Sequence, residues 1–369
     1  MKNILFASHS ASRTGAPLLL LEIATLLAKQ GYACSFVLGD FGPLEAEFRK
    51  IGPTSVEPLY PSELKYWREI KRIRSRIAFL KSVKPDLFYC NTIHPAKWLL
   101  YARMLGIPTV THVHELGMGF ATLTGVEHWL VRKYSGRFIA VSDAVKNYLV
   151  AEQGIDAERI SVVRAGIRVD EFSSTHSDEA KKSLDIDGSI VIGTVGRITP
   201  MKGSDLFLEL AARVKAQNIG AAVKFLVVAT TDDKEFYNNF RKEINTKMLH
   251  DDIVIVENAT DVKKYYAAMD IYVSTAREDP FPLVVLEAMA SGLPVAAFGV
   301  GGIPEMVSPE TGILVDALNV GPLADSITEL IRSPERRSAL GTAARKRMQD
   351  QFDLSRNVAR ITEVIEGAS

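Results

Sequence analysis

Cysteine is nearly absent from this 369-residue chain, which contains only Cys34 and Cys90. Two thiols support neither a disulfide framework nor a thiolate metal site. Charge of one sign is lacking as well, because 44 Lys and Arg balance 44 Asp and Glu. No global field draws such a chain to nucleic acid. Nowhere do about 18 apolar residues run together, the length a membrane-spanning helix needs; Leu18–Leu27 is interrupted by Glu22. The apolar run Ile4–Ala7 is too short for the core of a signal peptide. The dinucleotide fingerprint G-x-G-x-x-G is missing after the first strand. These absences predict a soluble, cytoplasmic chain with no nucleic-acid partner and no thiolate metal site.

What the chain does have is rhythm. Ile4–Ala7, Cys34–Leu38, Leu87–Cys90, Thr109–Val113, Phe138–Val141 and Ser161–Val163 read as buried strands separated by helical patterns. A second series comprises Ile190–Val195, Val223–Val228, Ile253–Val256, Ile271–Ser274, Pro294–Ala297 and Ile313–Val315. Alternation of this kind predicts an α/β fold with parallel sheets covered on both faces. The length suits two or three domains. Two Rossmann-like domains are expected, 1–170 and 171–350, their sheets facing a central cleft with ligand at the carboxyl ends of the strands. The polar stretch Asp170–Gly188 reads as the linker between them. Its Asp185-Ile186-Asp187 has the look of a metal-binding D-x-D, but in a linker it is expected to be solvated.

Four places carry candidate chemistry. In Asp270–Pro294 a strand leads through a polar loop into an apolar helix, and Glu287 is the only charged side chain across the 25 residues Pro280–Pro304. A carboxylate in such a segment costs several kcal/mol, roughly, unless it is paired. It either points to solvent or is aimed at ligand hydroxyls near a helix start whose free N–H groups also suit an anion. In Gly196–Gly203, Arg197 and Lys202 flank a loop after a strand. Either both are ordinary surface cations or they clamp a diphosphate, with charge-assisted contacts of about 1.5–3 kcal/mol each. The small-residue loop His9–Pro17, with Gly15, runs into a helix and can hold a phosphate or be an ordinary turn. Thr111–Glu115 closes a strand; His112 and His114 are read as lying on opposite sides, with His112 buried against a helix. Separately, Leu64–Lys84 forms an amphipathic helix with eight basic residues and one acid, net +7. It is either a solvated face over the sheet or a surface for anionic lipid or an anionic acceptor.

Asp279 and Glu287 stand eight apart with Phe281 between them, and Glu287 opens Glu-Ala-Met-Ala-Ser-Gly-Leu-Pro-Val. This resembles the E-x7-E signature of retaining GT-B glycosyltransferases, family 4 in particular, with Asp as the first acid. Gly196–Gly203 is similar to the family's G-R-x4-K-G clamp, and His114-Glu115 to its His-Asp/Glu pair. Val141–Ala144, Gly166–Phe172, Gly301–Glu305 and Gly312 also match. Some positions depart from the pattern. Gly15 stands where two adjacent glycines are common, Ala229–Asp233 and Val256–Asn258 replace glycine-containing loops near the base and ribose, and Pro282 replaces a glycine.

The resemblance implies roles. Arg197 and Lys202 would bind the diphosphate and stabilise the departing nucleotide without a metal. Glu287 would hold the ribose hydroxyls, Asp279 the sugar hydroxyls and His114 the reaction centre. Gly15, Phe281, Leu283 and Val284 would complete the donor site. Glu278, next to Asp279, would be neutralised by Arg277 or solvent. Segment 351–369 is expected to be a helix crossing back to the first domain. The implied activity moves a hexose-type sugar from a nucleotide-diphosphate donor to a saccharide or lipid-linked saccharide, in cell-surface polysaccharide synthesis. No cofactor beyond the donor is implied. On its net +7 amphipathic pattern alone, and not on the resemblance, helix 64–84 would touch the inner face of an anionic membrane. A GT-B epimerase or phosphorylase is an alternative, recognised by donor turnover without acceptor. A non-catalytic sugar-nucleotide-binding protein is another; it would bind donor and never transfer.

Overall fold

Strands without polar alternation need cover on both faces, and the chain supplies it by following nearly every strand with a helix. The computed structural model describes residues 2–58, 66–172, 177–217, 219–231, 233–316 and 318–368, with side chains of the helix beginning at Tyr66 described from Arg72 onward. The first sheet contains β1 (Asn3–Ser8), β2 (Ala33–Leu38), β3 (Thr54–Val56), β4 (Leu87–Asn91), β5 (Thr109–Val113), β6 (Arg137–Ala140) and β7 (Ile160–Val162). The second contains β8 (Ile190–Arg197), β9 (Val223–Thr230), β10 (Ile253–Glu257), β11 (Ile271–Ser274), β12 (Val295–Phe298) and β13 (Gly312–Val315). The orders are β3-β2-β1-β4-β5-β6-β7 and β10-β9-β8-β11-β12-β13. Every pairing is parallel. All twelve predicted strands are present within a residue or two of their expected bounds; β3, three residues behind Pro53, was not legible as a strand.

Each sheet reverses its strand order once, between β1 and β4 and between β8 and β11. Helices leave opposite faces at such a switch point, so the loops there part and leave room for a ligand. Register fixes what lies at the first of them: Ser8 pairs with Asn91, and Asn91 with His112. At the second, Ile271 and Tyr272 pair with Ile192 and Gly193.

Two compact units result, residues 1–165 with 355–369, and residues 166–354. The final helix, Leu354–Gly367, therefore groups with the first sheet. Within that unit, Tyr32 Oη donates to Glu366 at 2.8 Å, and Asn357 donates to the Arg164 carbonyl. The boundary falls five residues before the expected one, and the stretch read as a linker is part of the second unit. Its helix Asp178–Lys182 is capped by Ser177. Lys181 binds Asp270 at 2.6 Å and the Ser189 carbonyl at 3.0 Å, while Ile186 is buried. Those anchors override the segment's polar composition. Asp185 and Asp187 are exposed on either side of Ile186.

The basic helix runs over Tyr66–Val83; Leu64 and Lys65 of the expected span lie outside the described residues. Leu80 is buried and Ile73 is exposed. Arg76 does not join the cationic face. It is 4% exposed, bonds Glu57 at 2.8 Å, and lies 5.6 and 5.8 Å from the ring centres of Trp98 and Tyr101.

Candidate active site

In the second unit, β8 ends in Arg197, and the loop that follows meets the helix Ser204–Ala216 at Gly203. Gly203 has φ +64°, and a Cβ there would lie 1.8 Å from the Thr275 carbonyl oxygen. Only glycine lets this loop close onto the one after β11. The two loops are laced together: Thr275 Oγ1 donates to the Gly203 carbonyl at 2.8 Å, and the Arg277 amide to the Met201 carbonyl at 2.9 Å. Arg277 extends both guanidinium nitrogens to Asp205, at 2.7 and 2.6 Å. The guanidinium that was expected, with solvent as the alternative, to neutralise Glu278 is thus forked onto Asp205.

Within this frame Lys202 forms an ion pair with Asp279. Asp279 is 4% exposed, whereas Glu278 is half-buried. Arg197 and Lys202 line one small cavity, together with Gly196, Ser204 and Thr275. The clamp and the first acid of the signature are thus brought to one place. Behind Asp279, Gly301 has φ +55° and would clash with the Asp279 carbonyl at 1.9 Å if it carried a Cβ; the Gly302 amide donates to that carbonyl at 3.0 Å. The paired glycines therefore hold the backbone of the acid.

Pro282 caps the helix Leu283–Ala290 with no side-chain hydrogen bond, placing Leu283 and Val284 in a half-buried first turn. Phe281 is buried, its ring 6.0 Å from that of Phe352. Glu287 is half-buried and accepts a 2.7 Å hydrogen bond from the Tyr266 hydroxyl. Burial raises its pKa, against the lowering effects of that bond and of Lys263. Tyr266 went unremarked in the sequence, since an aromatic before a strand reads as core. Of the loops expected near the base and ribose, Ala229 and Thr230 continue β9, and Asp233 caps the helix Lys234–Thr246; Asp232 lies outside the described residues. Val256 and Glu257 continue β10.

In the first unit Gly15 opens the helix Gly15–Lys29 after a chain of hydroxyls: Ser10 to Ser12 at 2.8 Å and Ser12 to Thr14 at 2.9 Å. His114 follows β5 and lies 3.1 Å, Nε2 to Oδ1, from Asn91. The predicted division of the two histidines is wrong. Positions two apart on a strand share a face, and the His112 and His114 rings are 4.1 Å apart. His112 is fully buried, but against a neighbouring strand, its Nδ1 2.7 Å from the Tyr89 hydroxyl. Burial, with the nearby His9, pushes the His114 pKa down to about 3. Burial pushes Glu115 up to about 8, against hydrogen bonds from the amides of His114 at 2.9 Å and Ile93 at 3.4 Å. Asn91 was missed by sequence reading, although its place at the end of a central strand was a usable signal.

Among the described residues no group of three or more His, Cys, Asp or Glu could hold a metal ion, and no helix is long and apolar enough to cross a membrane.

Two parallel α/β units, each reversing its strand order once, have the GT-B fold. Residues 13–171 match Glycosyltransferase Family 4 and residues 176–347 match Glycosyl transferases group 1. The chain belongs to this glycosyltransferase family. It is 29% identical over 255 residues to the lipopolysaccharide core biosynthesis mannosyltransferase LpsB of Rhizobium meliloti (strain 1021), covering 66% of this chain and 68% of that one. It is 32% identical over 221 residues to the D-inositol 3-phosphate glycosyltransferase of Mycobacterium sp. (strain JLS), covering 56% of this chain but only 48% of that relative's length. Among solved structures, Anabaena Alr3699/HepE in complex with UDP and glucose superposes over 100% of both chains with a TM-score of 0.88 at 20% identity, a likeness of fold.

Because the folded pKa of His114 lies below the ordinary 6.5, its contribution to stability is complete above pH 6.5 and is lost as pH falls toward 3. Glu115 has the opposite sign, its contribution being lost as pH rises from about 4.5 through 8. In an NMR titration the His114 ring is therefore expected to stay neutral down to about pH 5. A midpoint near 6.5 would overturn the assignment.

Proposed function

We propose that this chain transfers a hexose-type sugar from a nucleotide-diphosphate donor to a saccharide or lipid-linked saccharide, with retained anomeric configuration. The observation that carries this reading is the grouping at the β8/β11 switch point: Lys202 paired with buried Asp279, and Arg197 lining the same cavity as Lys202. An ammonium has three donors, so Lys202 can keep Asp279 while turning others to a phosphate oxygen. Arg197 supplies the second cation. As the glycosidic bond breaks, negative charge grows on the departing diphosphate, and preorganised cations stabilise that state more than the ground state. Asp279 takes sugar hydroxyls on its remaining oxygen. Glu287, with one oxygen fixed by Tyr266, offers the other to the ribose. Leu283 and Val284 present the first turn of their helix to the donor, and Phe281 walls it.

The place of LpsB in lipopolysaccharide core synthesis supports a cell-surface glycan as product. Contact of the helix Tyr66–Val83 with an anionic membrane belongs to the same reading, with the cationic face reduced by the burial of Arg76.

Thermal shifts with UDP, GDP, ADP and dTDP identify the donor base, and failure of all four to stabilise the protein would count against the reading. Lys202→Ala and Arg197→Ala are each expected to lower turnover by about 10²–10³-fold, the scale for one preorganised charge stabiliser; full activity in either would refute the clamp. Since side chains neutralise the diphosphate here, activity is expected to survive EDTA, and loss restored by Mg²⁺ or Mn²⁺ would contradict this. Asp279→Asn is expected to reduce turnover by about 10²-fold and Glu278→Gln far less, because the buried acid is the one bonded to Lys202; the reverse ranking would shift the site by one residue. Liposome co-sedimentation at low salt should favour anionic over neutral vesicles, and equal or absent binding rejects the membrane contact.

A further inference from the structure

Asn91 ends β4 at the first switch point and is fully buried. A buried primary amide must find partners on both of its ends, and this one does. Its Nδ2 donates to the Ala16 carbonyl at 3.0 Å, in the first turn of the helix that follows the glycine loop. Its Oδ1 lies 3.1 Å from His114 Nε2. Turning the amide over would set Oδ1 against the Ala16 carbonyl, two acceptors face to face. The Ala16 contact therefore fixes the amide's orientation, and an acceptor faces the imidazole. A neutral imidazole carries one hydrogen, and which nitrogen holds it is decided by the partner of the other. Here the hydrogen belongs on Nε2, and Nδ1 keeps its lone pair.

The backbone around Asn91 reinforces this geometry. Thr92 has φ +98°, a conformation that β-branched residues rarely adopt. Its hydroxyl is buried without a partner, so the strain is not relieved by its own side chain. Instead, the turn sends the Thr92 amide to the His112 carbonyl at 2.9 Å and the Ile93 amide to Glu115 Oε1 at 3.4 Å. Glu115 Oε2 in turn accepts the His114 amide at 2.9 Å. The residues on both sides of His114 are thus gripped by Thr92 and Ile93, while Asn91 grips its ring.

We propose that Asn91 is a positioning residue: it locks His114 as the Nε2–H tautomer, so that Nδ1 is presented as an acceptor to a substrate hydroxyl. This rests on the reading of His114 as a residue of the reaction centre. It also ties the ring to the helix opened by Gly15, because one amide bonds both.

The test is ¹⁵N NMR of the His114 ring in the full chain, combined with steady-state kinetics. The wild-type ring is expected to carry its hydrogen on Nε2; a hydrogen on Nδ1 would overturn the inference without any variant. Asn91→Leu removes both contacts. It is expected to give a mixed tautomer and to lower kcat about tenfold, the scale of one neutral hydrogen bond, with the donor KM little changed. An unchanged ring spectrum and unchanged kcat in that variant would also overturn it. Full activity in His114→Ala would refute the role of His114, and with it Asn91's part in the reaction, whereas the wrong wild-type tautomer would refute the Asn91 inference alone.

Discussion

Parallel strand pairing is the constraint on which the rest of this molecule depends. A parallel sheet needs a crossover after each strand, and crossovers to opposite faces must diverge somewhere. They diverge between β1 and β4 in one unit and between β8 and β11 in the other. Several polar groups of functional interest lie on loops or strand ends at those places. The glycine loop follows β1, Asn91 ends β4, Arg197 and Lys202 bracket the loop after β8, and Asp279 follows β11. Elsewhere the strands are almost wholly apolar and buried, so they act as a rigid frame for a small number of charged side chains.

The second theme is how buried ionisable groups are satisfied. Each has a specific partner, as burial of a charge requires. Asp279 has Lys202, Glu287 has Tyr266, and Arg76 has Glu57 between two aromatic rings. Glu115 is held by two backbone amides, and burial still raises its pKa to about 8. His114 is neutral for the converse reason, burial disfavouring its charged form. One unit thus gathers cations suited to a diphosphate. The other presents a neutral imidazole and a carboxyl with raised pKa, groups that exchange hydrogen bonds with hydroxyls and add little charge.

Two glycines shape the loops that carry Lys202 and Asp279. Gly203 and Gly301 each lie within 2 Å, at the Cβ position, of a carbonyl in the loop after β11. They let separate loops close upon one another, so that Lys202 and Asp279 meet. Arg277, forked onto Asp205, ties the same loops from the outside.

The sequence by itself determined the described strands other than β3, because β-branched and aromatic runs without polar alternation suit a parallel sheet covered on both faces. It also determined the candidate acids and cations, because a single charge in an apolar stretch and two cations about one strand end are local patterns. The family spacing to Glu287 singled out Asp279 rather than Glu278 as the acid facing the donor, and Asp279 is the buried one of the two. Only the tertiary structure decided which of these groups meet. Lys202 and Asp279 are 77 residues apart, and their pairing depends on β8 lying beside β11. The linker reading failed because polar composition says nothing of Lys181 reaching Asp270, 89 residues away. The histidine reading failed on the side taken by alternate residues, and the rings meet. Asn91 and Tyr266 were missed because their partners, Ala16, His114 and Glu287, are distant in sequence and are brought to them by the sheet order and the helices packed on it.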